Sequence, residues 1–144
     1  MVIRIVLFLL GTYFVLPGLT SGQANRTQEA EIADQLVSIA QDILAGHSTV
    51  ASASTIAPGA RLVSGPSNVD LRDVVTGADR TVTLVDRPPR QTNALRLKTN
   101  ESEDSAFLLL TTSNQGKDVR YHTVVFMRDK HGEWKVETWH VSSQ

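Results

Sequence analysis

Histidine is the residue type in this sequence best suited to acid–base chemistry, because imidazole has an unperturbed pKa of about 6.5. The chain has no cysteine and four histidines, which are His47, His122, His131 and His140. Their spacing does not match zinc-binding motifs such as H-E-x-x-H, and no thiol is present to act as a nucleophile or a metal ligand. We therefore expect no metal ion and no other cofactor.

His140 is the strongest candidate of the four because a tyrosine is predicted to lie beside it. Alternating apolar and polar residues predict strands over residues 119–127 and 133–142, joined by a turn at the DKHG sequence. If the turn contains an even number of residues, residues of opposite parity pair across this hairpin. The face that carries Trp134 then also carries the predicted pocket residues, which are Tyr121, Thr123, Thr138 and His140.

On this face we expect Trp134 to close one end of a pocket, with Tyr121 and His140 at its mouth. His140 would act there as a general base or form a hydrogen bond with a ligand. The alternative is a polar residue at the end of a strand, satisfied by Tyr121 or by water. The hairpin places no carboxylate on this face next to His140, so the sequence assigns no catalytic residue.

The opposite face of the same hairpin is apolar enough to suggest an interface. Among charged residues it carries Val124, Phe126, Trp139 and Val141. An exposed apolar patch of this kind usually marks a protein–protein contact. We therefore predict a homodimer through this face. The alternative is that a loop or the N-terminal segment covers the patch.

The first 24 residues have the order of regions found in secretory signal peptides. Arg4 precedes an apolar run over residues 5–16, and a turn and small residues follow up to Ala24. The apolar run is shorter than the roughly 20 residues that span a bilayer. We predict a cleaved signal peptide over residues 1–24, a secreted or periplasmic protein, and no stable membrane span after cleavage. The alternative is an uncleaved N-terminal anchor.

The charge balance argues against nucleic acid as a partner. The chain has 14 Lys and Arg against 15 Asp and Glu, which gives a formal net charge of −1. No run of basic residues stands out along the sequence. Proteins that bind nucleic acid through the phosphate backbone carry a basic patch, and this sequence predicts none.

Residues 25–144 predict a single α+β domain. Apolar residues recur with a helical period over residues 27–45, and a second, short helix is predicted over residues 48–54. Besides the hairpin, strands are predicted over residues 60–63, 81–85, 94–98 and 106–112, the last of them buried on both faces. Helices followed by strands indicate N-terminal helices packed on one face of a curved, mainly antiparallel sheet.

Two segments of the chain resemble the NTF2-like superfamily, whose members are also called SnoaL-like or cystatin-like cone domains. The sequence APGARL at residues 57–62 resembles the turn and strand that follow the family's first helices. The sequence GEWKV at residues 132–136 resembles the G-x-W-[KR]-[IV] signature of its last hairpin. The resemblance covers essentially all of residues 25–144 and implies a cone-shaped fold with a pocket on its concave face. Gly59 stands where family members usually carry an acid, and no catalytic residue of the family's enzymes can be carried over.

This fold hosts enzymes and non-enzymes, so the resemblance implies a fold more than a reaction. We predict an exported, non-catalytic binding or accessory module with a pocket for a small, largely apolar molecule. One alternative is a SnoaL-like isomerase, lyase or hydrolase that performs acid–base chemistry in the cone pocket. The other is a structural assembly module that acts through the outer face of the sheet, which we expect to be the face of Trp139.

Overall fold

The computed structural model describes residues 21–46, 53–85 and 90–143. Most of the predicted signal peptide and most of the predicted short helix lie outside these ranges, and both stay predictions. The elements in chain order are α1 Ser21–Ala45, β1 Ile56–Ser64, β2 Ser67–Asp70, α2 Leu71–Thr76, β3 Gln91–Thr99, β4 Ser105–Asn114, β5 Lys117–Arg128 and β6 Trp134–Ser143. Among these described residues, no helix combines the length and the apolar character needed to cross a membrane.

The six strands form one sheet in the order β2-β1-β6-β5-β4-β3. Neighbouring strands are antiparallel except for β1 and β6, which run parallel. Strand β6 therefore lies between a strand from early in the chain and its own hairpin partner. The predicted α+β class with a mainly antiparallel sheet is confirmed.

Helix α1 packs its apolar side against one face of the sheet, here called the inner face. The predicted helical period is confirmed, since one core cluster joins buried strand residues to Ile32, Leu36, Ala40 and Ile43. The helix is followed by Gly46, which has a φ of +63° and whose backbone N–H donates to the Ile43 carbonyl at 3.2 Å. A Cβ at Gly46 would lie 2.9 Å from Val85 Cγ1, so glycine suits both the left-handed conformation and the close contact.

The connection between β2 and β3 begins with a short helix and continues as a bent segment. Asp70 caps α2 by accepting hydrogen bonds from two backbone N–H groups of its first turn. The strand predicted over residues 81–85 is wrong, because no strand lies there. Asp79 accepts hydrogen bonds from both the backbone N–H and the hydroxyl of Thr81, at 2.8 and 2.6 Å. This local turn bends the chain, and Leu84 then packs into the core with 2% of its surface exposed.

Burial alternates along the strands and separates the inner face from an outer face. In β4, the inner-face residues Ala106, Leu108 and Leu110 are buried, while Phe107 and Leu109 between them are half-buried. The prediction that β4 is buried on both faces is therefore wrong. An apolar run in a strand can supply one face to the core and the other to the surface of the described chain.

A β-bulge in β6 changes the register of the last hairpin. Near the turn Phe126 pairs with Val136, whereas the preceding residue of β5, Val125, pairs with Thr138. Glu137 is therefore an extra residue on β6. The bulge shifts the pairing by one residue between the two halves of the hairpin. The inner face of β6 therefore carries even-numbered residues before Glu137 and odd-numbered residues after it.

The bulge explains why both tryptophans are in the core. Trp134 and Trp139 have opposite parity, so a regular strand would place them on opposite faces. Both are buried, with 2% and 0% of their surface exposed. The prediction that they occupy different faces is therefore wrong.

Asp129 stabilises the turn that joins β5 and β6. Arg128 pairs with Trp134, so the turn contains the five residues 129–133, not the even number assumed from the sequence. The Asp129 carboxylate accepts hydrogen bonds from the backbone N–H groups of His131 and Glu133, at 2.8 and 3.0 Å. These bonds tie both ends of the turn to one side chain.

We expect this turn to lose stabilisation at acidic pH. The Glu133 backbone N–H, with smaller help from the His131 N–H and the charge of Lys135, holds the pKa of Asp129 below its ordinary value. Because the folded pKa is the lower one, the carboxylate contributes stability above its unfolded pKa and loses it as the pH falls through its folded pKa. Asp129→Asn should therefore be less stable than the wild type at neutral pH, and the difference should shrink as the pH falls below about 4. Urea unfolding at a series of pH values measures this.

Asp42→Asn, an exposed change on α1, is the matched control for that series. A difference between wild type and Asp129→Asn that stays constant from neutral to acidic pH would contradict the role given to the carboxylate.

Candidate functional site

The residues predicted to form an interface lie in the core. Val124, Phe126 and Trp139 are fully buried, and Val141 is partly buried and packs against the same cluster. Their predicted exposure is therefore wrong. This side of the hairpin lies on the inner face of the sheet. Its apolar residues belong to the same core cluster as the buried residues of α1.

The residues predicted to line a concave pocket lie on the outer face. Tyr121, Thr123 and Thr138 are half-buried there, and His140 is exposed. Thr123 pairs directly with His140, whereas Tyr121 pairs with Ser142. Their grouping on one face is confirmed, but the face is the opposite of the one expected.

The inner face instead holds a buried group of three polar side chains. Thr112, His122 and Trp139 are exposed by 2%, 1% and 0%, respectively. The indole Nε1–H of Trp139 donates to His122 Nδ1 at 3.0 Å, and Thr112 Oγ1 lies 2.8 Å from His122 Nε2. The rings of His122 and Trp139 meet edge to face, with centroids 5.9 Å apart. We call these residues the buried triad.

The hydrogen bonds of the buried triad assign the tautomer of His122. An indole N–H can only donate, so Nδ1 must be the unprotonated acceptor. Nε2 then carries the hydrogen and donates to Thr112 Oγ1. His122 is thus a neutral imidazole with both ring nitrogens occupied, and a proton added at Nδ1 would face the N–H of Trp139.

An open cleft lies next to the buried triad, where β1 and β6 end and β5 begins. Its volume is about 600 Å³, and it is lined by residues 64–67, 81–83, 120 and 140–143. We call it the terminal cleft. Its lining includes six hydroxyl side chains, three apolar side chains (Pro66, Val82 and Val141), and the basic side chains of Arg120 and His140.

The terminal cleft and the buried triad are adjacent along strands β4, β5 and β6. Arg120 lines the cleft and pairs across the strands with Thr112, and Val141 lines the cleft and pairs with His122. Thr112 and His122 are therefore direct strand neighbours of residues that line the cleft. In the cleft the chain can offer hydrogen bonds and a positive charge to a small molecule, and the triad is packed beside two of its lining residues.

Sequence reasoning found His140 and missed the other polar residues of this region. His140 does line the terminal cleft, although its strand position is on the outer face. Arg120, Thr112 and His122 were not identified as site residues. The signal for His122 was available: it shares a predicted face with Val124 and Trp139, and a histidine on the apolar face of a sheet is expected to be buried and hydrogen-bonded.

The two tryptophans differ in how their N–H groups are satisfied. The Trp134 Nε1 is buried, and no hydrogen-bond acceptor for it lies among the described residues. The Arg128 guanidinium instead stacks on its ring at 4.3 Å from the centroid. In the described ranges no group of three or more His, Cys, Asp or Glu side chains is arranged to hold a metal ion.

No protein-family model and no curated protein matches the sequence. The chain is similar in structure to an NTF2-like protein of unknown function from Shewanella baltica, with a TM-score of 0.59, 11% identity, and coverage of 82% of this chain and 95% of that one. It is also similar to ActVI-ORFA from Streptomyces coelicolor, with a TM-score of 0.54, 15% identity, and coverage of 82% and 98%. A candidate ketosteroid isomerase from Parabacteroides distasonis has a TM-score of 0.54, 16% identity, and coverage of 76% and 85%.

These identities are low, so the similarity concerns the fold and not the chemistry. The alignments cover most of the described chain, including its long first helix and its six-stranded sheet with β6 near the centre. The chain therefore has the fold of the NTF2-like superfamily.

Proposed function

We propose that this chain is an exported, non-catalytic module that binds a small molecule in the terminal cleft. The observation that carries the proposal is the cleft itself. Its volume of about 600 Å³ lies within the range typical of small-molecule sites, and polar groups from four segments of the chain converge on it. Its lining includes Arg120 and Val141 from the inner face of the sheet, the face on which the resemblance implies a pocket.

The lining indicates the chemistry of the ligand. Ser64, Ser67, Thr81 and Thr83 offer hydroxyl groups that both donate and accept hydrogen bonds, and Arg120 adds a positive charge. Val82 and Val141 supply a small apolar wall. A compact molecule with several hydrogen-bonding groups and one apolar side fits this lining better than the largely apolar molecule expected from the sequence.

The buried triad supports a binding role over a catalytic one. A general base needs a nitrogen within hydrogen-bond reach of the substrate. Both nitrogens of His122 are already occupied by Trp139 and Thr112, and the side chain is 99% shielded from solvent, since only 1% is exposed. His122 therefore acts as a structural residue next to the cleft.

The alternative function is a SnoaL-like isomerase, lyase or hydrolase with acid–base chemistry at the terminal cleft. The observation in its favour is that His140, with an imidazole, lines the cleft together with Arg120. A candidate ketosteroid isomerase is also among the similar structures. Incubation with the identified ligand distinguishes the two functions. A binding protein leaves the ligand unchanged, whereas an enzyme converts it to an isomer or a cleavage product.

The proposal is tested by filling the cleft. Thr83 is exposed and lines it, so Thr83→Trp should occupy the ligand's space with little effect on folding. Native mass spectrometry of protein purified from the cells that produce it should show a co-purified small molecule on the wild type. We expect its occupancy to fall at least about tenfold in Thr83→Trp, the change expected when a bulky ring blocks the site.

The control is Asn93→Trp, a substitution at an exposed position of the edge strand β3 that does not line the cleft. It should carry the same molecule as the wild type. Wild-type protein without any bound molecule, or equal occupancy in Thr83→Trp, would overturn the proposal. The intact mass in the same experiment tests the proposed export, because loss of residues 1–24 marks a cleaved signal peptide.

We also propose that a second copy of the chain covers the outer face of the sheet. This face carries half-buried apolar residues, among them Phe107, Leu109 and Val125. The neighbours of Val125 across the strands are uncharged, namely Phe107 and Thr138. A two-fold contact places a surface against itself, and an uncharged centre avoids like-charge repulsion there.

A further inference from the structure

A second cleft, on the opposite end of the last hairpin, has features of a site for an anion. Its volume is about 690 Å³, and it is lined by residues 54, 56–58, 72, 127–131, 135 and 137. We call it the turn cleft. The terminal cleft and the turn cleft share no lining residue. Arg72, Arg128, Lys130 and Lys135 line the turn cleft, against only two carboxylates, Asp129 and Glu137.

Main-chain carbonyls, not carboxylates, hold the two arginines of the turn cleft. Arg72 donates to the Ile56 carbonyl at 2.8 Å. Arg128 donates to the carbonyls of Glu103 and Gly132, at 2.7 and 2.8 Å, and stacks on Trp134. A neutral carbonyl fixes a guanidinium without cancelling its charge, so both groups are positioned in advance for an anion.

The carboxylates of the turn cleft are already engaged or outnumbered. Asp129 accepts hydrogen bonds from the turn and lies 3.8 Å from Lys135 Nζ. Lys135 also forms a salt bridge of 2.9 Å with Glu133. Within the described ranges neither arginine nor Lys130 forms a salt bridge with a carboxylate. The cleft therefore keeps a net positive charge.

An apolar wall faces these cations. Its exposed side chains are those of Pro58 and Met127, whereas Ile56 and Ala57 next to them are buried in the core. Met127 is one of two large hydrophobic side chains in the described chain that are strongly exposed. A long, flexible thioether side chain adapts to the shape of an apolar ligand.

We propose that the turn cleft binds an amphipathic anion, whose head group contacts Arg72, Arg128 and Lys130 and whose apolar body lies on Met127 and Pro58. Carboxylates and phosphate esters share the required chemistry, because both accept paired hydrogen bonds from guanidinium groups. This site is independent of the ligand proposed for the terminal cleft.

Isothermal titration of the natural protein with decanoate, decyl phosphate and decanol tests this proposal. The three probes share one apolar chain and differ in the head group. We expect both anions to bind at least about tenfold more tightly than decanol, and the tighter of the two identifies the preferred head group. Decanol binding as tightly as the anions would overturn the proposal, as would an absence of binding by both anions.

Variants locate the site. Lys130→Gln combined with Arg72→Gln should weaken binding of the tighter anion at least about tenfold. The matched control, Arg96→Gln with Lys98→Gln, removes the same charge from exposed positions of β3 and should leave affinity within about twofold. Lys130→Glu alone provides a second test that leaves the Arg72 hydrogen bond intact, should the double variant not fold.

The terminal-cleft variant Thr83→Trp should bind the anion as the wild type does. Loss of binding in Thr83→Trp, or wild-type affinity in both Lys130 variants, would place the anion elsewhere and overturn the proposal. Because Thr83→Trp also tests the terminal cleft, failure at one cleft is distinguishable from failure at the other.

Discussion

Replacing Trp139 by alanine is expected to lower the free energy of unfolding by about 3–5 kcal/mol. Trp139 is fully buried, and its Nε1–H is the hydrogen-bond partner of His122 Nδ1. The substitution therefore opens a large cavity and leaves a buried acceptor without a donor. Urea unfolding at a fixed protein concentration measures the change.

Trp139→Phe separates the two contributions. It retains most of the apolar volume and removes the donor, so we expect a smaller loss of about 1–3 kcal/mol. His140→Ala is the control, since His140 is exposed, and it should change stability by less than about 0.5 kcal/mol. If Trp139→Ala instead produced stable monomers with an unchanged free energy of unfolding, the residue would belong to an interface and its assignment to the core would be wrong.

Replacing Val125 by aspartate is expected to separate the proposed dimer. Val125 lies on the outer face between Phe107 and Thr138, so two-fold pairing would bring charged side chains together in an apolar contact. Desolvating such a charge and facing it with its copy costs several kcal/mol. We expect the dissociation constant to rise by about 100-fold or more. Sedimentation equilibrium measures it.

Val125→Thr is the matched variant for this test, because threonine keeps the branched shape and suits a strand without adding charge. It should remain a dimer. A wild-type protein that is monomeric at all concentrations, or a Val125→Asp variant with unchanged dimer affinity, would show that no second copy covers this face.

The fold was predictable because several independent patterns agreed. The spacing of Ile32, Leu36, Ala40 and Ile43 specifies one helical face, and all four residues reached the core. The strands of the final meander were placed correctly because their alternation is bounded by turn residues. The segment over residues 81–85 was mistaken for a strand because Val82 and Leu84 alternate with threonines, and the turn made by Asp79 was not recognised.

The candidate site was less predictable because it depends on one inserted residue and on the choice of face. The residue types around Glu137 do not predict a bulge. Without the bulge, a regular strand places Trp134 and Trp139 on opposite faces of the sheet. With that register, either face could be the inner one. The burial of Val124 and Phe126 shows which face is the inner one. That burial depends on contacts with α1 and β4, which a local sequence pattern does not reveal.

The central position of β6 has a consequence for how the protein is made. β1 and β5 do not touch as neighbours in the sheet, since β6 lies between them. A nascent chain that has reached Arg128 can form the β3–β4–β5 meander, but β1 and β2 have no sheet to join until residues 134–143 follow. Pairing strands so distant in sequence is slow. The β1–β2 hairpin and the β3–β4–β5 meander therefore remain two separate units until β6 pairs with both of them.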